Sequence, residues 1–272
     1  IGSSLVGSEM CIRDRLILEH HDLVSVLTFN NPPAHTWTPE SLQQLQQIVA
    51  DLNSNANNRA LVVTGAGDKF FSAGADLQRF HHRDAAQATD FSTAFGDAFQ
   101  ALTAYQGVSI AAINGYAMGG GLEVALACDI RVAEQHAQLA LPECSVGLLP
   151  CGLGTQQLAW LVGEQWAKRM VLLGERVSAD QALSIGLVSE VVASGEALQH
   201  CLALAQPIQK QSPSAVNSCK QLIMSAREQS LSEGYALERQ RFIELWQDSN
   251  QFEGVSAFLE KRAPQWNDET KE

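Results

Sequence analysis

Positive charge is scarce in this chain: 18 lysines and arginines stand against 30 aspartates and glutamates in 272 residues, a formal net charge of −12. Nucleic-acid-binding surfaces cluster Lys and Arg to neutralise phosphates, so nucleic acid is not an expected partner. Long apolar runs are also lacking. The most hydrophobic stretches, around 108–118 and 122–133, are broken by Asn114, Gly115 and Asp129. Neither approaches the roughly 20 residues that a helix needs to cross a bilayer, so no membrane span is expected. The six cysteines (Cys11, Cys128, Cys144, Cys151, Cys201, Cys219) form no C-x-x-C pair and no zinc-type spacing with the histidines. They read as reduced thiols of a cytoplasmic protein, and no metal is expected.

What is present is enough apolar content, 46%, for a sizeable core. Residues 1–15 carry no period and read as a non-native or disordered segment. Val24, Val26 and Phe29 alternate into the turn Asn30-Asn31-Pro32-Pro33, which predicts a strand. A helix follows, capped by Thr38 with Pro39 at its first position and Leu42, Leu45, Ile48, Val49 and Leu52 along one face. Ala60 to Thr64 reads as a second buried strand, so the chain alternates strand, helix, strand in the α/β manner. Further on the pattern gives strand 108–113, helix from about 120, strands 130–133 and 138–141, and a helix opened by Gly152 to Gly154. Residues 81–105 read as a polar, mobile connection leading into a helix. Ser178 caps a short helix ended by Gly186, with a strand at Leu187-Val188. From 196 to 272 the pattern is helical, in segments 196–209, 213–227, 231–248 and 251–261. The organisation is therefore a core over 16–195 and a helical region over 196–272.

The most informative segment is Asn114-Gly115-Tyr116-Ala117-Met118-Gly119-Gly120-Gly121-Leu122-Glu123. Its glycines join a buried strand to a helix start, where bare peptide N–H groups and the helix dipole favour negative charge. Such donors stabilise a developing oxyanion. Phe71-Ser72-Ala73-Gly74-Ala75-Asp76-Leu77 is a second loop of small residues after a strand. Nucleotide motifs fit neither region. Gly65-Ala66-Gly67 begins a G-x-G-x-x-G that Phe70 breaks, and Gly121 and Leu122 stand where a P-loop needs lysine and a hydroxyl.

Glu123 alone reads as a first-turn carboxylate and Glu143, after Pro142, as a surface residue. Paired in one pocket, two acids can share proton transfers. Spacing does not decide whether they meet.

Phe71 to Leu77, Asn114 to Asp129 and Leu141 to Gln156, in this order, resemble the enoyl-CoA hydratase/isomerase (crotonase) family. The resemblance spans roughly 16–266 and includes Glu253 to Arg262. It implies a ββα spiral core with a C-terminal helical trimerisation region, in a homotrimer or homohexamer. It implies an acyl-CoA substrate, with coenzyme A as part of that substrate and no cofactor. The backbone N–H groups of Ala75 and Gly120 would form the oxyanion hole, and Glu123 and Glu143 the catalytic pair. Ala73, Asp76 and Leu77 would hold the adenine, and Lys261 would reach the CoA of a neighbouring subunit. Gln78 stands where relatives often carry lysine, which shifts phosphate contacts to Lys69, Arg79 or Arg83. His35 replaces a usual asparagine, putting a loop hydrogen bond in doubt, and Cys151 replaces a glycine beside Glu143. Two acids favour reversible hydration of a trans-2-enoyl-CoA. The alternatives are Δ3–Δ2 isomerisation, a specialised hydratase, or a non-catalytic RNA-binding relative.

Overall fold

The computed structural model describes residues 15–55, 57–80 and 84–267. Residues 1–14 of the leading segment and Arg83 lie outside them. Arg15 belongs to the folded chain: its carbonyl accepts the Asn30 N–H at 2.8 Å and its guanidinium bonds Thr38 and Glu40.

Three passes of the chain each give two strands and then a helix. The first is β3 (Ala60–Gly65), β4 (Phe70–Ser72) and α2 (Ala85–Thr103). The second is β5 (Val108–Ile113), β6 (Tyr116–Met118) and α3 (Gly120–Ala127). The third is β7 (Ile130–Glu134), β8 (Gln138–Ala140) and α4 (Gly154–Leu172). They follow an opening pass of β1 (Leu16–His21), β2 (Val24–Phe29) and α1 (Pro39–Ser54). Both strands of the opening pass and the first strand of each of the three later passes join a six-stranded sheet, β1-β2-β3-β5-β7-β10, closed by β10 (Glu190–Val192). The second joins a four-stranded sheet, β4-β6-β8-β9, with β9 at Val177–Ser178. Pairing is parallel throughout except at β1·β2 and β8·β9. This is the ββα spiral implied by the resemblance.

The unbroken apolar runs in β3 and β5 have a physical cause, since both faces of the large sheet are covered. Leu61, Val63, Ala111 and Ile113 face the main core with α1 and α2, whereas Val62, Ile110 and Val132 pack against Ala197 and Cys201 of α6 (Ala197–Ala205). Thr38 caps α1 as the sequence predicts, accepting from Ser41 N. Ser178 likewise caps α5 (Ala179–Ser184). The C-terminal region continues as α7 (Pro213–Ser225), α8 (Leu231–Trp246) and α9 (Ser249–Glu260). Among the described residues no helix is long and apolar enough to cross a membrane.

Four expectations need correction. Strand β1 was not predicted. Phe71 and Ser72 belong to strand β4, so the second loop begins at Ala73. The connection over 81–105 is helical from Ala85, capped by Asp84. Its fully buried residues, Phe95, Ala98, Phe99 and Leu102, all lie in its second half; before them only Phe91 and Ala94 pack against the core, which leaves the first half looking like a polar linker. The last strand is Glu190–Val192 rather than Leu187–Val188. Leu187 and Val188 are buried, but Leu187 offers its carbonyl to the Arg131 side chain at 2.8 Å, and ladder pairing with β7 starts only at Glu190.

Asn114 ties the sheets together. Its buried amide donates to Gly65 O and Gly67 O, both at 2.8 Å, and accepts from Gly65 N at 3.1 Å, so the β5–β6 turn is fixed to the β3–β4 turn. Removing it strands three backbone groups. Asn114→Ala should lower unfolding free energy by about 2–3 kcal/mol in urea melts, and an unchanged midpoint would show that this clamp contributes nothing.

Candidate active site

The ends of β4, β6 and β8 meet at one place. Trp37 N donates to Gly74 O at 2.8 Å and Asp76 N donates to Trp37 O at 3.3 Å, forming a parallel bridge between Trp37 and Ala75. Peptide groups alternate along an extended chain, so the bonded groups of Gly74 and Asp76 leave the Ala75 N–H pointing away from Trp37. Gly120 is the first residue of α3, whose first-turn amides have no intrahelical acceptor. Among the described residues neither amide has a protein acceptor.

Glycines let the two segments approach. Gly74 has φ +87°, and a Cβ there would sit 2.6 Å from Met118 O and 3.0 Å from Gly120 N. A Cβ on Gly121 would lie 2.0 Å from Ser72 O. Both contacts are with backbone, so neither can be relieved by a side-chain rotation.

Glu123 is 3% exposed on α3. Its Oε1 accepts from Gly152 N at 2.7 Å and Gly154 N at 2.8 Å, so the carboxylate caps the start of α4. Burial drives its pKa up to about 7; the Gly154 bond works against this, the Glu143 charge adds to it, and the Gly152 bond opposes it. Glu143 begins a 3-10 turn, Glu143–Val146, and is half-buried. Burial also raises it to about 7, its own backbone amide opposing. Its Oε2 is buried without a hydrogen-bond partner among the described residues. Both acids line one cavity of about 220 Å³ with Ala73, Ala75, Gly120 and Cys151, and with Phe95 and Leu149 on its apolar side. A larger cavity, about 280 Å³, lies between the end of α1 and the C-terminal helices. Its lining of Asn and Gln side chains with Arg59 and Asp248 includes neither Glu123 nor Glu143.

Residues 19–269 match the family described as enoyl-CoA hydratase/isomerase. The chain belongs to that family. It is 39% identical over 252 residues to 2,3-dehydroadipyl-CoA hydratase of Escherichia coli K12, covering 92% of this chain and 97% of the relative. It is 33% identical to the short-chain-enoyl-CoA hydratase of Clostridium acetobutylicum, over 92% of this chain and 96% of that one. Among solved structures, Pseudomonas aeruginosa DspI is 53% identical with a TM-score of 0.91, covering 97% of this chain and 100% of DspI.

Within this family frame the structure brings together Ala73, Ala75, Leu77, Gly120, Glu123 and Glu143 at the cavity. Asp76 lies just outside, its Oδ1 accepting from Gln78 N at 3.2 Å. Lys69 immediately precedes β4, at the opposite end of that strand from Ala73, with Nζ 5.3 Å from the Phe70 ring centroid. Arg79 is held between Asp76 and Glu40, at 3.6 and 3.8 Å. Lys261 caps α9 in the left-handed region at φ 55° and lines no part of the cavity. The loop bond put in doubt by His35 is made: Nδ1 accepts from Asn31 N at 3.1 Å, and Nε2 bonds Ala66 O at 2.8 Å. Burial and the two carboxylates raise the Cys151 thiol to about 11, which keeps it protonated at neutral pH. Sequence reading missed the donors of Gly152 and Gly154; their signal was the glycine spacing opening α4.

Burial of Glu123 has a stability consequence. Its folded pKa, about 7, lies above the ordinary value of 4.5. Between those values the native state holds a proton that the unfolded chain releases, so this group's contribution falls as pH rises through the window and levels off above it. Glu123→Gln keeps an acceptor for both glycine amides and removes the buried charge. It should raise stability above pH 7 by up to about 3 kcal/mol and change little below pH 4.5. Equal effects in urea melts at pH 4 and pH 8 would contradict this assignment.

Proposed function

We propose that this chain adds water reversibly to trans-2-enoyl-CoA thioesters, giving 3-hydroxyacyl-CoA. The observation that carries the reading is two carboxyl groups, each raised to about 7, in one cavity with two unpaired backbone N–H groups. Acids near pH 7 exist in both protonation states at neutrality, as a reaction that removes one proton and delivers another requires.

In this reading the thioester oxygen sits between the N–H groups of Ala75 and Gly120. Ionised Glu123 takes a proton from water as the water oxygen bonds Cβ. The double-bond electrons move toward the thioester oxygen, and the two N–H donors stabilise the enolate charge. Protonated Glu143 then delivers its proton to Cα, and the pair is left with the roles of acid and base exchanged. Removing a single oxyanion donor of this kind typically costs about 3–4 kcal/mol. Coenzyme A is part of the substrate and no further cofactor enters. The amides of Ala73 and Asp76 are bonded to Ala34 O and Trp37 O, so adenine would meet carbonyls in the 73–77 segment. In this reading Lys69, Arg79 or Arg83 meets the phosphates, and Lys261 reaches the CoA of a neighbouring subunit. The cytoplasm is the assigned compartment.

The described cavity wall is apolar apart from the two acids and Ser145. This suits a hydrocarbon acyl tail better than the carboxylate-ended tail in the Escherichia coli relative's name. The assembly read here is a homotrimer or a dimer of trimers, supported by the uncovered apolar side chains of α8 and α9, including Phe242, Trp246, Phe252 and Phe258, the last 82% exposed.

Purified protein should consume crotonyl-CoA in water, read as loss of the enoyl-thioester absorbance, and prefer it to 2,3-dehydroadipyl-CoA. Glu123→Gln and Glu143→Gln should each lower kcat by about 10²–10⁴-fold. The kcat/KM profile should be bell-shaped around neutral pH, because acid protonates the base and alkali empties the acid, with both limbs belonging to the coupled pair. Loss of activity in Glu143→Gln alone would instead indicate double-bond isomerisation. Sedimentation should show a trimer or hexamer, and Phe242→Glu with Phe258→Glu should shift it toward monomer; a monomeric wild-type chain would refute the assembly.

A further inference from the structure

We infer that Trp37 is the positioning residue that holds the two oxyanion donors at their mutual distance. The inference rests on the oxyanion reading above and deepens it.

Trp37 touches both donor segments, and by different parts of itself. Its backbone bridges Gly74 and Asp76, the peptides on either side of Ala75, at 2.8 and 3.3 Å. That bridge turns the Ala75 N–H toward the cavity. Its indole packs on the other donor: Cδ1 lies 3.5 Å from the point where a Gly120 Cβ would stand, next to Phe95 Cε1 at 2.9 Å. The two donors belong to segments 45 residues apart in sequence, and no hydrogen bond joins the Ala75 amide to the Gly120 amide. One side chain therefore fixes the Gly120 wall while its own backbone fixes the Ala75 wall.

The ring itself is held by packing. Trp37 is 3% exposed, meets Phe29 edge-on at 4.9 Å and Phe99 at 5.5 Å between ring centroids, and its Nε1–H has no partner among the described residues. With no hydrogen bond to orient the indole, the shape of the Phe29–Phe99 slot determines where it presses on Gly120. A smaller side chain leaves a gap behind Gly120, and the two N–H groups no longer converge on one oxygen.

The test uses Trp37→Phe, Trp37→Leu and Trp37→Ala, each bound to an aryl-conjugated enoyl-CoA. The readout is the downshift of the bound thioester carbonyl stretch, which reports polarisation by the two donors. The same proteins are assayed with crotonyl-CoA. Wild type and Trp37→Phe should keep at least half of the shift. Trp37→Leu and Trp37→Ala should lose most of it, with kcat falling about 10–100-fold and KM changing less than about threefold, as for an interaction made chiefly in the transition state. If Trp37→Ala does not fold, Trp37→Leu, which fills more of the slot, decides. A folded Leu variant with the full wild-type shift overturns the inference, as does activity lost while the shift is retained. A wild type that shows no shift removes the oxyanion hole and the inference with it. Full polarisation by a wild type that does not hydrate crotonyl-CoA would defeat the hydratase reading alone, and the Trp37 variants would still be judged by their carbonyl shifts.

Discussion

The site depends on how closely two stretches of backbone, 72–75 and 118–121, can approach. A Cβ at Gly121 would come within 2.0 Å of Ser72 O, and one at Gly74 within 2.6 Å of Met118 O. Every other residue type would push the β4 end away from the α3 start. At the contact that glycine allows, the Ala75 and Gly120 amides face the same cavity, and both are geometrically prevented from pairing within the chain. The first has its neighbours taken by Trp37, and the second stands at a helix N-terminus. Unpaired N–H groups are normally avoided in folded chains. Here the packing that creates them also opens them to a ligand oxygen.

The same economy governs Glu123. A carboxylate this deeply buried loses hydration, which favours the neutral acid, while two glycine amides at the head of α4 favour the charge. Burial outweighs the two amides, with the Glu143 charge adding to it, and the value settles at about 7 rather than 4.5. Because the carboxylate also caps α4, the start of that helix and an acid of the cavity wall are fixed by one set of bonds. Gly154 shows how tight this is: a Cβ there would lie 2.7 Å from the carboxylate oxygen that its own amide binds.

Much of this was legible in the sequence where a residue type is forced by local geometry. The glycines of 119–121, the Thr38 and Ser178 caps, and the apolar strands 60–64 and 108–113 all announce themselves within a few residues. What was not legible depends on partners distant in sequence. Strand β1 alternates only weakly and is defined by pairing with β2. The direction of the Ala75 N–H is set by Trp37, 38 positions earlier. The first half of α2 is mostly exposed and so resembles a linker, and Leu187-Val188 has strand composition yet bonds Ala182 O and the Arg131 side chain rather than a strand. The acids were visible as candidates, but only the cavity shows them in one place.

The C-terminal region follows from the same accounting of buried surface. Helices α7 and α8 bury no residue within the chain. Polar latches hold α7 instead: Lys220 Nζ donates to Tyr105 O at 2.7 Å, Asp129 Oδ2 at 2.8 Å and Gly107 O at 3.1 Å. At the end of α7, Arg227 reaches Gln157 at 2.7 Å. Polar bonds of this kind add modestly to stability, whereas burying large apolar side chains contributes roughly 1.5–3 kcal/mol each. Phe242, Ile243, Trp246, Phe252, Phe258 and Leu259 all remain exposed on a single chain. The spiral core is thus complete within one chain, whereas α8 and α9 carry an apolar surface characteristic of an interface. Assembly with further copies would bury that surface and carry Lys261, at the end of α9, along with it.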